Sequence, residues 1–236
     1  MRASDYRLQA RQTLQGNWLL AVGVTLVASL LGGVGSSSFE FEFREDASQL
    51  PAIQDQMQSL TEEQVVIIAS ISIIVFLAAL AYAFFVSNVI NMGYHKFHMN
   101  MTDGILPEFK DLFSRFKKGV YMDTVKLAAL RFLYIFGWSL LFVIPGIIAI
   151  YNYSMSYYVM LDHPELTPAQ CLRVSKAMMK GNRWRLFCLE FSFIGWAILS
   201  ALALGLGNLV LTPYTFSAQT AFYRSIRDSV DIQNYL

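Results

Sequence analysis

The chain has 236 residues, of which 55% are hydrophobic, 14% aromatic and only 15% charged. Soluble domains carry about 25% charged residues, so the composition excludes an ordinary water-soluble globule. No basic run interleaved with aromatics points to nucleic acid, and the net charge of +1 conceals a strong segregation along the chain.

Residues 2–15 have helical periodicity. Ala3, Tyr6, Ala10 and Leu14 fall on one face and Arg7, Arg11 and Gln15 on another, with Ser4 placed to cap the helix. The segment closes on Gly16-Asn17-Trp18, and an apolar stretch runs on to Val34. Its basic start and trailing small residues also fit a secretory signal. The helical periodicity and an apolar stretch long enough to span argue instead for a retained helix.

Residues 36–64 form an acidic stretch holding Glu40, Glu42, Glu45, Asp46, Asp55, Glu62 and Glu63. Within it Phe39-Glu40-Phe41-Glu42-Phe43 alternates as a strand would. Ile53, Met57 and Leu60 then recur at helical spacing, so the next helix is expected to start after Pro51. Such a stretch is a solvating connector or a partner surface. No formal charge follows from Gln64 to Tyr94, and Asn88, Asn91, His95 and His98 make a polar stripe at helical spacing.

A second basic segment sets Phe109, Leu112, Phe113 and Phe116 against Lys110, Ser114, Arg115, Lys117 and Lys118, and ends in Gly119-Val120-Tyr121. A third sets Cys171, Val174 and Met178 against Arg173, Lys176 and Lys180, starts at Thr167-Pro168 and ends in Gly181-Asn182-Arg183-Trp184. One unit therefore occurs three times: a basic amphipathic stretch, a glycine (Gly16, Gly119, Gly181), an aromatic (Trp18, Tyr121, Trp184) and a long apolar run. The glycine suits a helix C-cap, and the aromatic suits the headgroup belt.

The uncharged runs after the second and third units, 132–161 and 191–223, would be roughly 45–50 Å long as helices, whereas a bilayer core is about 30 Å thick. Each carries a breaker, Ile144-Pro145-Gly146 in one and Gly205-Leu206-Gly207-Asn208 with Pro213 in the other. Charge decides between kinked spans and hairpins. Four spans would put Arg173, Lys176, Lys180, Arg183 and Arg185 outside, against the preference of Lys and Arg for the cytoplasmic side. Six spans, near 18–34, 65–90, 124–144, 146–161, 187–206 and 209–224, leave Arg44 as the one external cation among 18 Lys and Arg. The expected fold is all-α, a single membrane domain over 1–236 with hairpins at 1–100, 105–162 and 167–228. Both termini are expected in the cytoplasm of a bacterium, and the three basic segments on the anionic inner leaflet.

Ionisable groups inside a membrane are functional candidates. Arg131 and Glu190 sit at similar shallow depth, where an ion pair or snorkelling to the interface would each be reasonable. Asn152 and Ser156 share a face, as do Asn208, Thr212, Thr215 and Gln219. Asn88, Asn91, His95, Arg131, Asn152, Ser156, Glu190, Thr215 and Gln219 thus either hydrogen-bond across helices or line an inner polar vestibule. His95 and His98 lack a third ligand at suitable spacing, so no metal and no cofactor is expected. Cys171 and Cys188 fit no disulfide framework. Asp162-His163-Pro164-Glu165 is a polar turn, and no nucleophile–base or phosphate-loop motif occurs, so an enzyme is not expected.

Ala10-(x)3-Leu14-x-Gly16-Asn17-Trp18, Ile144-Pro145-Gly146-Ile147-Ile148 with Tyr151-x-Tyr153-Ser154-Met155, Ser175-Lys176-x-Met178-Met179-Lys180-Gly181 and the stretch Trp184 to Trp196 resemble a bacterial family of uncharacterised integral membrane proteins. The chain is more distantly similar to the membrane domain attached to some glycerophosphodiester phosphodiesterases, without that enzyme's catalytic residues. The resemblance implies a polytopic membrane protein and no mechanism. Three functions follow as expectations: handling or sensing of lipids or amphiphiles at the inner leaflet, transport or export of a small solute through Arg131 and Glu190, and a scaffold for another membrane protein. Partners are expected among anionic lipids, a second copy of the chain or another membrane protein.

Overall fold

The computed structural model describes residues 2–34, 61–202 and 205–235. Over these it is helical, with no strand. The helices are α1 (Ala3–Leu14), α2 (Trp18–Leu30), α3 (Glu62–Tyr82), α4 (Asn88–Thr102), α5 (Tyr121–Leu141), α6 (Val143–Asn152), α7 (Ser156–Asp162), α8 (Pro168–Met178), α9 (Arg183–Phe191), α10 (Ile194–Leu202) and α11 (Asn208–Ile226). A π-helical turn, Ala83–Ser87, joins α3 to α4, and a 3-10 segment, Phe109–Phe116, precedes α5. The Phe39–Phe43 alternation, the Ile53–Leu60 spacing and most of the acidic stretch lie outside the described residues.

The threefold unit of the sequence is a threefold unit of backbone geometry. Gly16, Gly119 and Gly181 have φ of 87°, 93° and 85°, a region that costs any other L-residue about 1–2 kcal/mol. At each, the next N–H bonds back three residues: Asn17 to Leu14 at 3.0 Å, Val120 to Lys117 at 3.2 Å and Asn182 to Met179 at 3.1 Å. Those residues then accept the first bond of the following helix, from Ala21, Thr124 and Leu186. The turn is sharp: α1 and α2 meet at 99°.

The basic segments close a ring. The segment 109–116 packs on α4, α8 packs on α5, and α1 packs on α11, so the second and third lean on a helix that precedes them in the chain, and the first on the last helix. Tyr6, Ala10 and Leu14 of α1 and Cys171, Val174 and Met178 of α8 are buried in the resulting core. Arg11, Arg173, Lys176 and Lys180 are exposed, on the faces the periodicity assigned them. The apolar faces of α1 and α8 are thus covered by protein, whereas on that of the second segment only Leu112 is buried and Phe109, Phe113 and Phe116 are exposed.

Two local expectations need correction. Ser4 does not cap α1: Arg2 occupies the cap position, and Asp5 accepts its N–H at 2.7 Å. The second basic segment is 3-10 rather than α. With three residues per turn, Arg115 stacks beneath Leu112 and is buried, donating to the Met160 carbonyl at 3.5 Å. Burial lowers its pKa. The start of α8 follows the sequence: Thr167 and Gln170 form a reciprocal capping box with Pro168 in the first turn.

Among the described residues three helices are long and apolar enough to cross a membrane, Glu63–Thr102, Tyr121–Leu141 and Arg183–Leu202, or four if the bent α1–α2 pair is counted as one span. The remaining expected spans are interrupted or polar. Helix α2 has 13 residues, about 20 Å. Helix α6 has ten, and a turn separates it from α7. Helix α11 has 19, with Asn208, Thr212, Thr215 and Gln219 along it. The chain nevertheless reverses where the breakers lie. The first reversal falls at Phe142, which is extended (φ −162°, ψ 154°), so Pro145 sits inside the first turn of α6 rather than in the bend. At both reversals the helices touch through a glycine. A Cβ on Gly146 would lie 2.4 Å from Ser139 Oγ, and one on Gly207 would lie 2.8 Å from Ser200 Oγ. Exposed large apolar residues crowd α3 and the tips of the two later hairpins.

Candidate functional site

The expected polar residues divide into separate clusters. In the first, the Tyr157 hydroxyl donates to Asn88 Oδ1 at 3.2 Å, and Arg131 lies 4.9 Å over the Tyr157 ring. His95 is buried beside it between Tyr157, Tyr158 and Phe216, and among the described residues its Nδ1 has no hydrogen-bond partner. A guanidinium over an aromatic face gains about 0.5–2 kcal/mol from the ring.

In the second cluster Glu190 is the acceptor. Tyr151 OH donates to Oε2 at 2.9 Å and Gln219 Nε2 to Oε1 at 3.3 Å. Hydrogen bonds to a carboxylate are stronger than neutral ones, so three helices, α6, α9 and α11, are tied at this point. Arg131 and Glu190 are not paired with each other: among the described residues neither takes part in a salt bridge, and each keeps its own neutral partners.

The other members serve backbone. Asn91 donates to the Gly33 carbonyl at 2.6 Å, Ser156 to Tyr153 at 2.8 Å and Thr215 to Leu211 at 2.8 Å. The Asn152 carbonyl accepts from Ser175 at 2.8 Å, while its Oδ1 is buried without a partner. His98 bonds Ser217 at 2.9 Å, and among the described residues no group of three or more His, Cys, Asp or Glu could hold a metal.

A further polar network is built on Asp162, at the start of the Asp162-His163-Pro164-Glu165 turn. Asp162 accepts from Tyr223 OH at 2.9 Å and Arg224 Nη1 at 2.8 Å, with Arg227 3.7 Å away. Arg224 also bridges to Asp103. This network fastens the ends of α4, α7 and α11. Asp103 lies 59 residues before Asp162 and 121 before Arg224, so no local pattern could have paired them.

Two grooves border the basic helices. One, about 420 Å³, lies between α1, the start of α2 and the third hairpin, with Arg11, Trp18, Trp196, Leu199 and Tyr214 on its walls. Smaller recesses continue it past Arg7 and Ser4 on one side and Gln12 and Gln15 on the other. Arg11 sits 5.7 Å over the Tyr214 ring. The second groove, about 320 Å³, lies between α8 and the second hairpin, with Arg173, Lys176, Tyr134 and Tyr153 on its walls. Of the junction aromatics, Trp18 lines the first groove, Tyr121 donates to the Phe85 carbonyl at 3.1 Å, and Trp184 stacks on Phe187 at 5.0 Å.

Helices long and apolar enough to cross a membrane, with basic amphipathic segments beside them, fit the membrane-protein class. Residues 132–230 match the model of a family described as a protein of unknown function (DUF975). No curated protein and no solved structure matches the chain.

Proposed function

We propose that this is a multi-pass protein of the bacterial cytoplasmic membrane, with six crossings in three hairpins and both termini cytoplasmic, that handles or senses anionic amphiphiles at the inner leaflet. The observation that carries this reading is the way the basic segments are mounted. The apolar faces of α1 and α8 are buried in the bundle, so Arg11, Arg173, Lys176 and Lys180 are held outward on a fixed frame, while Lys110, Lys117 and Lys118 are exposed beside the exposed rings of Phe109, Phe113 and Phe116. Polybasic surface beside an anionic leaflet gains about 1 kcal/mol per Lys or Arg.

The reading is tested by reconstituting the protein with spin-labelled lipids. Phosphatidylglycerol should be enriched over phosphatidylcholine in the boundary shell, and Lys117→Glu with Lys118→Glu should reduce the enrichment. An equal shell for both lipids in the unaltered protein would refute it. Topology is tested by maleimide labelling of Lys180→Cys in a chain lacking Cys171 and Cys188. Ser175 is unsuitable because it is buried and bonded to Asn152. Labelling of Lys180→Cys by an impermeant reagent in intact cells would overturn the orientation.

A further inference from the structure

The two grooves place a cation and two aromatics from matching positions of the repeat. Arg11 and Lys176 each stand five residues before a junction glycine, Gly16 and Gly181. Tyr214 and Tyr153 each stand seven residues after a tip glycine, Gly207 and Gly146, and each tip glycine packs on a serine seven residues earlier, Ser200 and Ser139. A second aromatic from the rising helix of the hairpin, Trp196 or Tyr134, completes the wall. Register in the repeat, not chance recession of the surface, therefore sets a cation against two aromatics twice. The remaining repeat has Ser114 at the equivalent position.

The chemistry of the walls selects the occupant. No acidic side chain lines either groove, and among the described residues Arg11, Arg173 and Lys176 make no ion pair. These cations are unneutralised, and Arg7 adds a further one beside the first groove. The opposite wall of the first groove is apolar: Trp196, Leu199 and Val210 are half or more exposed at 50%, 59% and 50%. A small soluble anion would leave that wall uncovered, whereas a phosphate ester with an acyl chain covers both. The volumes fall in the ~300–1,000 Å³ range of small-molecule sites.

We infer that the chain holds two repeat-related sites for anionic phospholipid, the headgroup phosphate on Arg11 in one and on Lys176 with Arg173 in the other, with an acyl chain along the apolar wall of the first. This rests on the amphiphile reading above and adds to it location and number. The two sites differ in grip. Arg11 offers a planar fork suited to phosphate in the first, and Arg173 a fork with the point charge of Lys176 beside it in the second.

The test is native mass spectrometry of the delipidated full chain titrated with phosphatidylglycerol, and in parallel with phosphatidylcholine. Two saturable phosphatidylglycerol adducts are expected, with phosphatidylcholine failing to match them. Arg11→Glu and Lys176→Glu should each leave one adduct, and the double variant none, while Arg11→Lys, Lys176→Arg and the distant Lys126→Gln keep two. Circular dichroism and gel filtration of each variant establish folding, and the conservative pair separates loss of charge from loss of packing. Two adducts persisting in the folded double variant would overturn the location while leaving the amphiphile reading intact. Equal adducts with both lipids in the unaltered chain would overturn both.

Discussion

Alanine substituted at glycine should have opposite effects at two kinds of position. At Gly181 the backbone is at φ 85° and no atom lies within 4 Å of where a Cβ would be. The cost of Gly181→Ala is therefore conformational alone, about 1–2 kcal/mol. At Gly23, inside α2, φ is not positive and the space is equally open. There Gly23→Ala should stabilise by roughly 0.5–1 kcal/mol, because the unfolded chain loses more entropy at glycine. For a chain of this size 1 kcal/mol moves Tm by roughly 2–4 °C, so Gly181→Ala should lower it by about 2–8 °C and Gly23→Ala raise it by about 1–4 °C. Gly181→Asn should fall between Ala and wild type, since Asn visits the left-handed region more readily. Thermal unfolding in detergent, followed by a thiol-reactive dye or by circular dichroism, reads all three. Equal shifts for Gly181→Ala and Gly23→Ala, or an Asn variant less stable than Ala, would show that the junction glycines are not selected for backbone conformation.

Other expectations concern the polar ties. Glu190→Ala strands the Tyr151 hydroxyl and the Gln219 amide in a half-buried site and should cost about 1–3 kcal/mol, with Glu190→Gln losing less; an unchanged unfolding midpoint for Glu190→Ala would contradict the tie. Asp162→Ala removes the acceptor shared by Tyr223 and Arg224. It should destabilise by a similar ~1–3 kcal/mol and expose the α7–α11 contact to hydrogen exchange, whereas exchange protection equal to wild type would count against it. Burial pushes the Cys171 thiol up to about 12, so in the folded chain it should resist maleimide at neutral pH and react on unfolding. A group raised in the folded state is protonated there while the unfolded thiol ionises near 8.5. Its contribution to stability is thus complete below about 8.5 and declines as pH rises from there toward about 12; Cys171→Ala should flatten that decline.

Sequence periodicity was sufficient for α1 and α8, where Tyr6, Ala10 and Leu14 and then Cys171, Val174 and Met178 are the buried faces. It was sufficient for the three junctions because a left-handed turn is a local event with one favoured residue. It failed over 109–116, where a basic arginine reads as surface at α-helical spacing and is buried in 3-10 spacing; which helix forms depends on the close approach of Leu112 to Gly93, where a Cβ would lie 2.0 Å from the Leu112 carbonyl oxygen.

The candidate site shows the same division. Composition and charge placement by themselves determined a helical chain with apolar segments fit for a membrane, its cations collected beside three glycine–aromatic junctions, because hydropathy and charge are properties of single residues summed along a segment. Only tertiary structure decided which groups meet. Arg131 went to Tyr157, Glu190 to Tyr151 and Gln219, and Asp162 became the anchor for an arginine 62 residues away. Arg11 met Tyr214, from opposite ends of the chain, because α1 closes the ring on α11. Pairings of that kind are fixed by packing between distant segments, which leaves no periodic trace in either one.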